Sequence, residues 1–222
     1  MGYDTLLLDN DGIITEVTDR SMLGRAIVEA FRDMGVPDPS TEHVNSLVAG
    51  VTPERLERVC SAYNVAAGSF WRRRDQRCWL VQARELRAGR KELYDDVSAV
   101  LNLSLPMGVV SSNQHATVAA VLEHYGLEGS VDTFYGRTMT VESLERKKPS
   151  PYFLERAAAD LGATNPLMVG DSEADIRAAD RAGMDSVLVR RPHRSDASLE
   201  ATPTYEVGSL SAVPAILDDG GP

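Results

Sequence analysis

Four carboxylates follow short apolar runs, at positions where their oxygen atoms could share one site. Asp9 and Asp11 are separated by one residue at the end of the first run, so both side chains can converge there. Asp171 follows a later run, and Asp175 lies about one helical turn further on. Like-charged carboxylates are costly to bring together unless a cation neutralises them. Oxygen ligands suit Mg²⁺, which often leaves room for a phosphate oxygen, so the pattern predicts a magnesium site that can accept a phosphate group.

Apolar runs and amphipathic stretches alternate along much of the chain. The runs span residues 5–8, 107–110, 167–169 and 186–189, and the helix-like stretches span residues 91–101, 115–125, 151–161 and 173–182. This alternation is typical of an α/β fold with a doubly wound, Rossmann-like parallel sheet, in which ligands bind outside the carboxyl ends of the strands. We therefore expect the carboxylates to meet Ser111 and Lys148, which also lie at or beside strand ends, along one edge of the sheet.

Residues 19–88 interrupt the alternation. They contain helix-like stretches at 20–34, 41–49, 53–63 and 69–87 and no convincing apolar strand. We interpret them as a helical insert in a sheet domain formed by residues 1–18 and 89–222. A basic run at residues 71–77 of this insert could hold an anionic group. Successive helical residues point about 100° apart, however, so we expect a solvated face for its arginines and an internal position for Trp71 and Trp79.

Composition argues against several classes of partner. The chain has 33 acidic and 23 basic residues and a net charge of −10, which disfavours nucleic acid and anionic membrane surfaces. No segment approaches the 18 apolar residues of a membrane span, and no basic region precedes a long apolar stretch at the amino terminus, so a cytoplasmic location is expected. The scarcity of lysine beside abundant arginine is typical of a salt-rich, halophile-like cytoplasm or a GC-rich genome. Cys60 and Cys78 lack the spacing of a metal or disulfide framework.

Four motifs together resemble those of the haloacid dehalogenase superfamily, in its phosphatase branch. They read LLLDNDG, GVVSS, KKPSP and VGDSEADIRAADRAG, in the order and at the separations typical of phosphoglycolate phosphatase-like and β-phosphoglucomutase-like members. The resemblance covers residues 3–16 and 89–217. The helical insert, residues 19–88, is similar in position and character to that family's type 1 cap domain.

The resemblance implies a catalytic role for each carboxylate after the first strand. Asp9 matches the nucleophile that forms an aspartyl-phosphate, and Asp11 matches the general acid and base. Ser111 would donate a hydrogen bond to a phosphoryl oxygen, and a lysine would neutralise charge on the transferring group. That lysine is either Lys147 or Lys148; Lys148 is preferred because it directly precedes the proline of its motif.

The same resemblance implies a Mg²⁺ site. Asp9, the backbone carbonyl of Asp11 and Asp171 would hold the ion, and Asp175 would complete or orient the ligands. Ser112 and Asn113 either cap the following helix or contact the substrate, and the sequence leaves both alternatives open. His115 and His193 have no partner at metal-binding spacing and are expected to be ordinary polar residues.

These features together predict a Mg²⁺-dependent phosphatase of a small phosphorylated metabolite, such as phosphoglycolate or a sugar phosphate. Asp11 argues against carbon–halogen cleavage, because that reaction has no leaving alcohol to protonate. A phosphomutase of the same branch would use the same residues and remains an alternative. A non-catalytic regulator with this fold is the third possibility, although neither the nucleophile nor the acid is missing. The sequence does not indicate an oligomeric state.

Overall fold

A parallel six-stranded sheet forms the centre of the protein in a computed structural model that describes residues 2–195 and 198–219. The strands are β1 (Thr5–Leu8), β2 (Met107–Gln114), β3 (Thr133–Arg137), β4 (Pro166–Gly170), β5 (Asp185–Val189) and β6 (Tyr205–Val207). Their order across the sheet is β3-β2-β1-β4-β5-β6. The predicted doubly wound α/β architecture is therefore confirmed, with the first strand near the middle of the sheet.

The two outer strands escape sequence-based prediction. β3 and β6 lie at the sheet edges, where only one neighbour pairs with them. All three residues of β6 and the first three residues of β3 are only partly buried or exposed. An edge strand does not require the continuous apolar run that marks a buried central strand, and the sequence signal is correspondingly weak.

Helices cover both faces of the sheet and build the insert. They are α1 (Arg20–Asp33), α2 (Thr41–Ser46), α3 (Pro53–Ala62), α4 (Ala67–Arg87), α5 (Ser98–Leu101), α6 (His115–Tyr125), α7 (Tyr152–Leu161), α8 (Glu173–Ala182) and α9 (Val213–Asp219). The helix predicted at residues 91–101 is mostly wrong, because only α5 is helical there. The preceding backbone pairs instead with the loop after β1: the amide of Tyr94 donates to the Ile14 carbonyl, and that of Glu16 donates to the Glu92 carbonyl.

Alternate residues of β1 enter separate cores on the two faces of the sheet. Leu6 and Leu8 pack in a large cluster that includes residues of α5, α6 and α9, whereas Leu7 packs in a smaller cluster formed with α7 and α8. This is the alternation expected of successive side chains in a strand. Burial on both faces fixes the position of β1 and hence of the acidic residues that follow it.

The helical insert has a hydrophobic cluster of its own. Its members come mainly from α1 to α4 and include Phe31 and Phe70, whose rings lie 4.3 Å apart. Trp71 is buried in this cluster. Trp79, by contrast, is only partly buried and lies beside residues of α6 in the sheet domain, so its expected place inside the insert is not the observed one.

A buried ion-pair network joins the insert to the sheet domain. Asp75 of α4 is fully buried and accepts hydrogen bonds from Arg74 of the same helix and from both terminal nitrogens of Arg137 at the end of β3. Burial alone would raise the pKa of Asp75, but the charge and hydrogen bonds of the two arginines lower it below its ordinary value. The expectation of a solvated face is thus wrong for Arg74, whereas Arg73 and Arg77 pair with Asp33 near the surface.

Replacing Asp75 by asparagine should destabilise the protein strongly. The substitution keeps the side-chain shape but leaves two buried guanidinium groups without their counter-charge, a loss of about 3–5 kcal/mol in the free energy of unfolding. Urea denaturation of Asp75→Asn measures the change. Asp33→Asn is the matched control, because its ion pairs lie at the surface and its loss should not exceed about 1 kcal/mol. Equal losses in the two variants would contradict this assignment.

Candidate active site

The first acidic loop is a tight turn directly after β1. The Asn10 carbonyl accepts hydrogen bonds from the amides of the three residues at 13–15, which closes the turn. Gly12 has a positive φ of 95°, and a Cβ atom at this position would lie 2.3 Å from Oδ2 of Asp171. Glycine is therefore required both by the backbone conformation and by the close approach of the second acidic loop.

The second acidic loop joins β4 to α8. Ser172 caps this helix in a capping box, in which Oδ2 of Asp175 accepts hydrogen bonds from the Ser172 amide at 3.0 Å and from its hydroxyl at 2.5 Å. The arrangement fixes the Asp175 carboxylate at the helix start. A Cβ atom on Gly170 would lie 2.3 Å from the Cβ of Asp175, so this glycine also makes room for an acidic side chain.

The two loops bring three buried carboxylates together. Ligand oxygens of Asp9, Asp171 and Asp175, hereafter the acidic triad, all lie within 4.8 Å of one another. Burial, together with the charges of the other two members, raises the pKa of Asp9 well above its ordinary value even though Lys148 acts in the opposite direction. Burial and the charge of Asp175 likewise raise the pKa of Asp171. Burial and mutual repulsion therefore make the fully ionised triad costly unless a cation lies beside it.

Lys148 is the cation at the centre of this arrangement. Its Nζ lies 2.8 Å from Oδ1 of Asp9 and 2.5 Å from Oδ1 of Asp175, and it donates to the Val110 carbonyl at 2.8 Å. Burial alone would lower the pKa of Lys148, but the two carboxylates raise it above its ordinary value. Lys147, the alternative lysine, faces a cavity instead. The geometry thus favours Lys148 as the residue beside the candidate nucleophile.

Asp11 lies apart from the triad and has its own partners. Its Oδ1 accepts from Lys91 Nζ at 2.5 Å, and its Oδ2 accepts from the side-chain amide of Asn113 at 2.9 Å. Burial alone would raise the pKa of Asp11, but the charge and hydrogen bond of Lys91 and the bond from Asn113 lower it. The Asp11 carboxylate is not among the clustered oxygens of the acidic triad. This agrees with the sequence-based expectation, in which Asp11 would bind the metal through its backbone carbonyl.

Three residues of this region were missed by sequence reasoning: Lys91, His193 and Arg194. Lys91 is buried and donates to both Asp11 and the Glu16 carbonyl, although the sequence suggested that it begins a helix. His193, expected to be an ordinary polar residue, places Nε2 2.8 Å from Oδ2 of Asp171, and Nε of Arg194 lies 3.0 Å from the same oxygen. The scarcity of lysine was the one available signal for Lys91, since only three occur in the chain.

The end of β2 supplies polar groups beside Asp11. The strand extends to Gln114, beyond the predicted apolar run, and Ser111 is buried with its Oγ accepting from the Asn113 amide at 3.1 Å. Asn113 also donates to the side-chain oxygen of Gln82 in α4 at 2.6 Å. The Ser112 carbonyl accepts from Arg137 at 3.1 Å. Asn113 therefore links Asp11 to the insert, and the N-cap position of α6 is occupied by Gln114 instead.

A cavity of about 260 Å³ lies between the insert and the sheet domain. Its wall includes Asp11, Ser112 and Asn113 from the sheet domain and Trp71 and Gln82 from the insert. Asp11 is thus accessible from a space that is smaller than the 300–1,000 Å³ typical of drug-sized ligands. The arrangement can hold a divalent cation at the triad and a small substrate beside Asp11.

Comparison with known proteins identifies the family. Residues 3–183 match the family model described as a haloacid dehalogenase-like hydrolase. The chain belongs to this family. The resemblance of the four sequence motifs is therefore confirmed over most of the chain.

Curated relatives match part of the chain. A phosphoglycolate phosphatase of Neisseria gonorrhoeae is 39% identical over 90 residues, which cover 40% of this chain and 36% of the relative. The pyrophosphatase PpaX of Bacillus cereus is 30% identical over 131 residues, which cover 57% of this chain and 58% of the relative. The chain thus spans between about a third and three fifths of the length of these relatives.

Solved structures of the family share the fold over nearly the full chain. CbbY of Rhodobacter sphaeroides, solved in complex with phosphate, has a TM-score of 0.73 at 18% identity and is matched over 97% of this chain and 99% of its own. A putative β-phosphoglucomutase of Thermotoga maritima has a TM-score of 0.60 at 15% identity, with 97% and 99% covered. Within the described residues, no helix is both long and apolar enough to cross a membrane.

A methyl group at Gly170 should disturb the acidic triad of this hydrolase-family fold. Gly170→Ala places a Cβ against Asp175, and overpacking of this kind costs about 1–3 kcal/mol in the free energy of unfolding. The control is Gly129→Ala, where nothing lies within 4 Å of the added atom and the change should stay within about 0.5 kcal/mol. Urea denaturation compares the two, and an unchanged Gly170→Ala protein would contradict the close approach of β4 and α8.

Proposed function

We propose that the protein is a Mg²⁺-dependent phosphatase that hydrolyses a small phosphorylated metabolite through an aspartyl-phosphate. The observation that carries this proposal is the buried acidic triad, with Lys148 against the candidate nucleophile Asp9 and with a second carboxylate, Asp11, at the cavity wall. Membership of the hydrolase family supports it. The names of the curated relatives, a phosphatase and a pyrophosphatase, also support it, although the similarity covers only part of each relative.

The residues at the site fit a magnesium ion. Four carboxylates adjoin three cationic side chains, those of Lys148, Lys91 and Arg194, so negative charge remains in excess and favours a bound cation. The donors are oxygen atoms, the type that Mg²⁺ prefers. Asp9, Asp171 and the Asp11 carbonyl would hold the ion, and Asp175 would orient them. When bound, the ion neutralises charge on the phosphoryl oxygens and aligns the phosphoryl group with the nucleophile.

In the first step, an oxygen of Asp9 attacks the phosphorus atom. A P–O bond to Asp9 forms, the ester P–O bond breaks, and the electron pair passes to the leaving alkoxide, which takes a proton from Asp11. Two donors fix Asp9 for this attack, since its Oδ1 lies 2.8 Å from Lys148 Nζ and accepts from the Asn10 amide at 2.7 Å. A dianionic phosphoryl group beside Asp11 would raise the pKa of that carboxyl and favour its protonated form.

In the second step, Asp11 acts as the base. As a carboxylate it takes a proton from water, whose oxygen attacks the phosphorus of the aspartyl-phosphate. The bond between phosphorus and the Asp9 oxygen then breaks, which frees inorganic phosphate, restores the Asp9 carboxylate and leaves Asp11 protonated for the next cycle. Lys91 suits this step, because its charge favours the ionised form of Asp11.

The remaining polar groups would stabilise the transferring phosphoryl group. Ser111 accepts from the Asn113 amide, so its hydroxyl proton can turn toward a phosphoryl oxygen. Lys148 would offset charge on that group as it moves onto Asp9. Ser112 and Asn113 lie in the cavity wall, where they can contact the leaving group.

The helical insert would act as a cap that excludes water and selects the substrate. Its residues cover the cavity and contact Asn113 and Arg137 of the sheet domain. A cap of this kind must open to admit substrate and close for chemistry. The cytoplasmic location and the adaptation to salt suggested by the composition stay predictions.

Phosphate release should require both Mg²⁺ and Asp9. Purified protein should hydrolyse an aryl phosphate with Mg²⁺ and lose this activity in EDTA, and Asp9→Asn should lower kcat by at least about a thousandfold because the nucleophile is gone. The exposed Asp95→Asn is the control and should retain activity. Activity of Asp9→Asn within tenfold of the parent would contradict the proposal, and transfer of the phosphoryl group to a second substrate position instead of water would identify a mutase.

A further inference from the structure

The wall of the cavity carries an excess of positive charge. Its charged residues are one acid, Asp11, and four bases, Arg20, Arg74, Arg137 and Lys147. The chain as a whole has a net charge of −10, so the charge of this wall is opposite to that of the whole protein. Positive charge in a small cleft concentrates anionic ligands.

We propose that the substrate carries a second anionic group, a carboxylate or a further phosphate, and that Lys147 binds it in the cavity. This inference rests on the proposed phosphatase function, because it assigns the part of the substrate that leaves. We therefore expect a neutral sugar phosphate to be a poorer substrate than a short phosphate ester whose leaving group carries a negative charge.

The two buried arginines have terminal nitrogens that are already hydrogen-bonded, whereas Nε of Arg74 has no partner among the described residues. Arg137 donates through Nε to the Ser112 carbonyl and through its terminal nitrogens to Asp75. Arg74 donates to Asp75 and, through Nη2, to the Leu47 and Val48 carbonyls at 2.8 and 2.9 Å. Arg74 and Arg137 together place two positive charges against the single carboxylate of Asp75. One unit of positive charge therefore remains.

Lys147 is the available donor beside them. It is half-buried and lines the cavity, and its side chain makes no hydrogen bond or ion pair with any residue that the structure describes. Burial and the charges of Arg137, Arg74 and Arg55 lower the pKa of Lys147 to about 8, which still leaves the ammonium form in excess at neutral pH. An anion at this position would relieve the repulsion among these cations and accept hydrogen bonds from the ammonium group of Lys147.

The adjacent lysines serve two neighbouring anion positions. Lys148 reaches the acidic triad, where the phosphoryl group would be attacked, whereas Lys147 reaches the cavity. The cavity beside Lys147 measures only about 260 Å³. This volume suits a short substrate, with few atoms between its phosphorus and its second anionic group.

Matched substrates test the second anion. Phosphoglycolate and 2-hydroxyethyl phosphate have two-carbon tails that differ in charge, and pyrophosphate carries a second phosphate. The native protein should prefer phosphoglycolate or pyrophosphate over the neutral ester by at least about tenfold in kcat/KM, as expected for a charge-assisted hydrogen bond. The acidic substrate with the higher kcat/KM shows whether the second anionic group is a carboxylate or a phosphate. Equal kcat/KM for all three would overturn the inference.

Variants of Lys147 test its role. Lys147→Met should lower kcat/KM for the preferred acidic substrate at least about tenfold more than for 2-hydroxyethyl phosphate, and Lys147→Arg should retain most of the preference. The control is Arg146→Met, whose exposed side chain lies over Tyr152 and which should leave the preference intact. Parallel losses for acidic and neutral substrates in Lys147→Met would show a structural role and overturn the assignment.

Binding of phosphonates separates this inference from the proposed function. Titration calorimetry with Mg²⁺ present compares 3-phosphonopropionate, whose tail is anionic, with propylphosphonate, whose tail is neutral. Tighter binding of the former by at least about tenfold, lost in Lys147→Met, would support the second anion site even if neither ester were hydrolysed, in which case only the proposed hydrolysis would fall. Equal affinities in the native protein would overturn the inference even if hydrolysis were observed.

Discussion

Repulsion among buried carboxylates is the constraint on which the site depends. Asp9, Asp171 and Asp175 lie within 4.8 Å of one another, and burial removes the water that would otherwise screen their charges. Lys148 contacts two of the three and offsets part of this cost. The sheet fixes the loops that hold them through strands buried on both faces, and Gly12 and Gly170 allow the loops to approach. A fold that stores this much negative charge is suited to a divalent cation and to phosphoryl transfer.

The interface between insert and sheet domain shows the opposite balance. There one carboxylate, Asp75, lies between Arg74 and Arg137, so positive charge is in excess and Lys147 adds to it. The acidic triad and this basic wall are neighbours, since Lys147 and Lys148 are consecutive. An acidic centre suited to a cation beside a basic wall suited to an anion would let a chain of net charge −10 attract a substrate with two anionic groups.

The sequence predicted the central strands, and the positions of the carboxylates at the ends of two of them, because these signals are local. Buried parallel strands require continuous apolar runs, and the carboxylates follow two of them directly. Contacts between distant segments leave no such mark: Lys91 reaches Asp11 across 80 positions, and Arg137 reaches Asp75 across 62. The burial of Arg74 was missed for the same reason, since helical periodicity shows which residues share a face but not what that face meets. The edge strand β6, with three residues, was too short and too exposed to predict.

Diffraction from crystals grown with Mn²⁺, an octahedral oxygen-binding substitute for Mg²⁺ that gives an anomalous signal, tests the central claim most directly. The account predicts one strong anomalous peak at about 2.1–2.3 Å from carboxylate oxygens of Asp9 and Asp171 and from the Asp11 carbonyl, within the range of oxygen ligands for such ions. A triad without a peak, in crystals that show Mn²⁺ bound at other carboxylates, would contradict it.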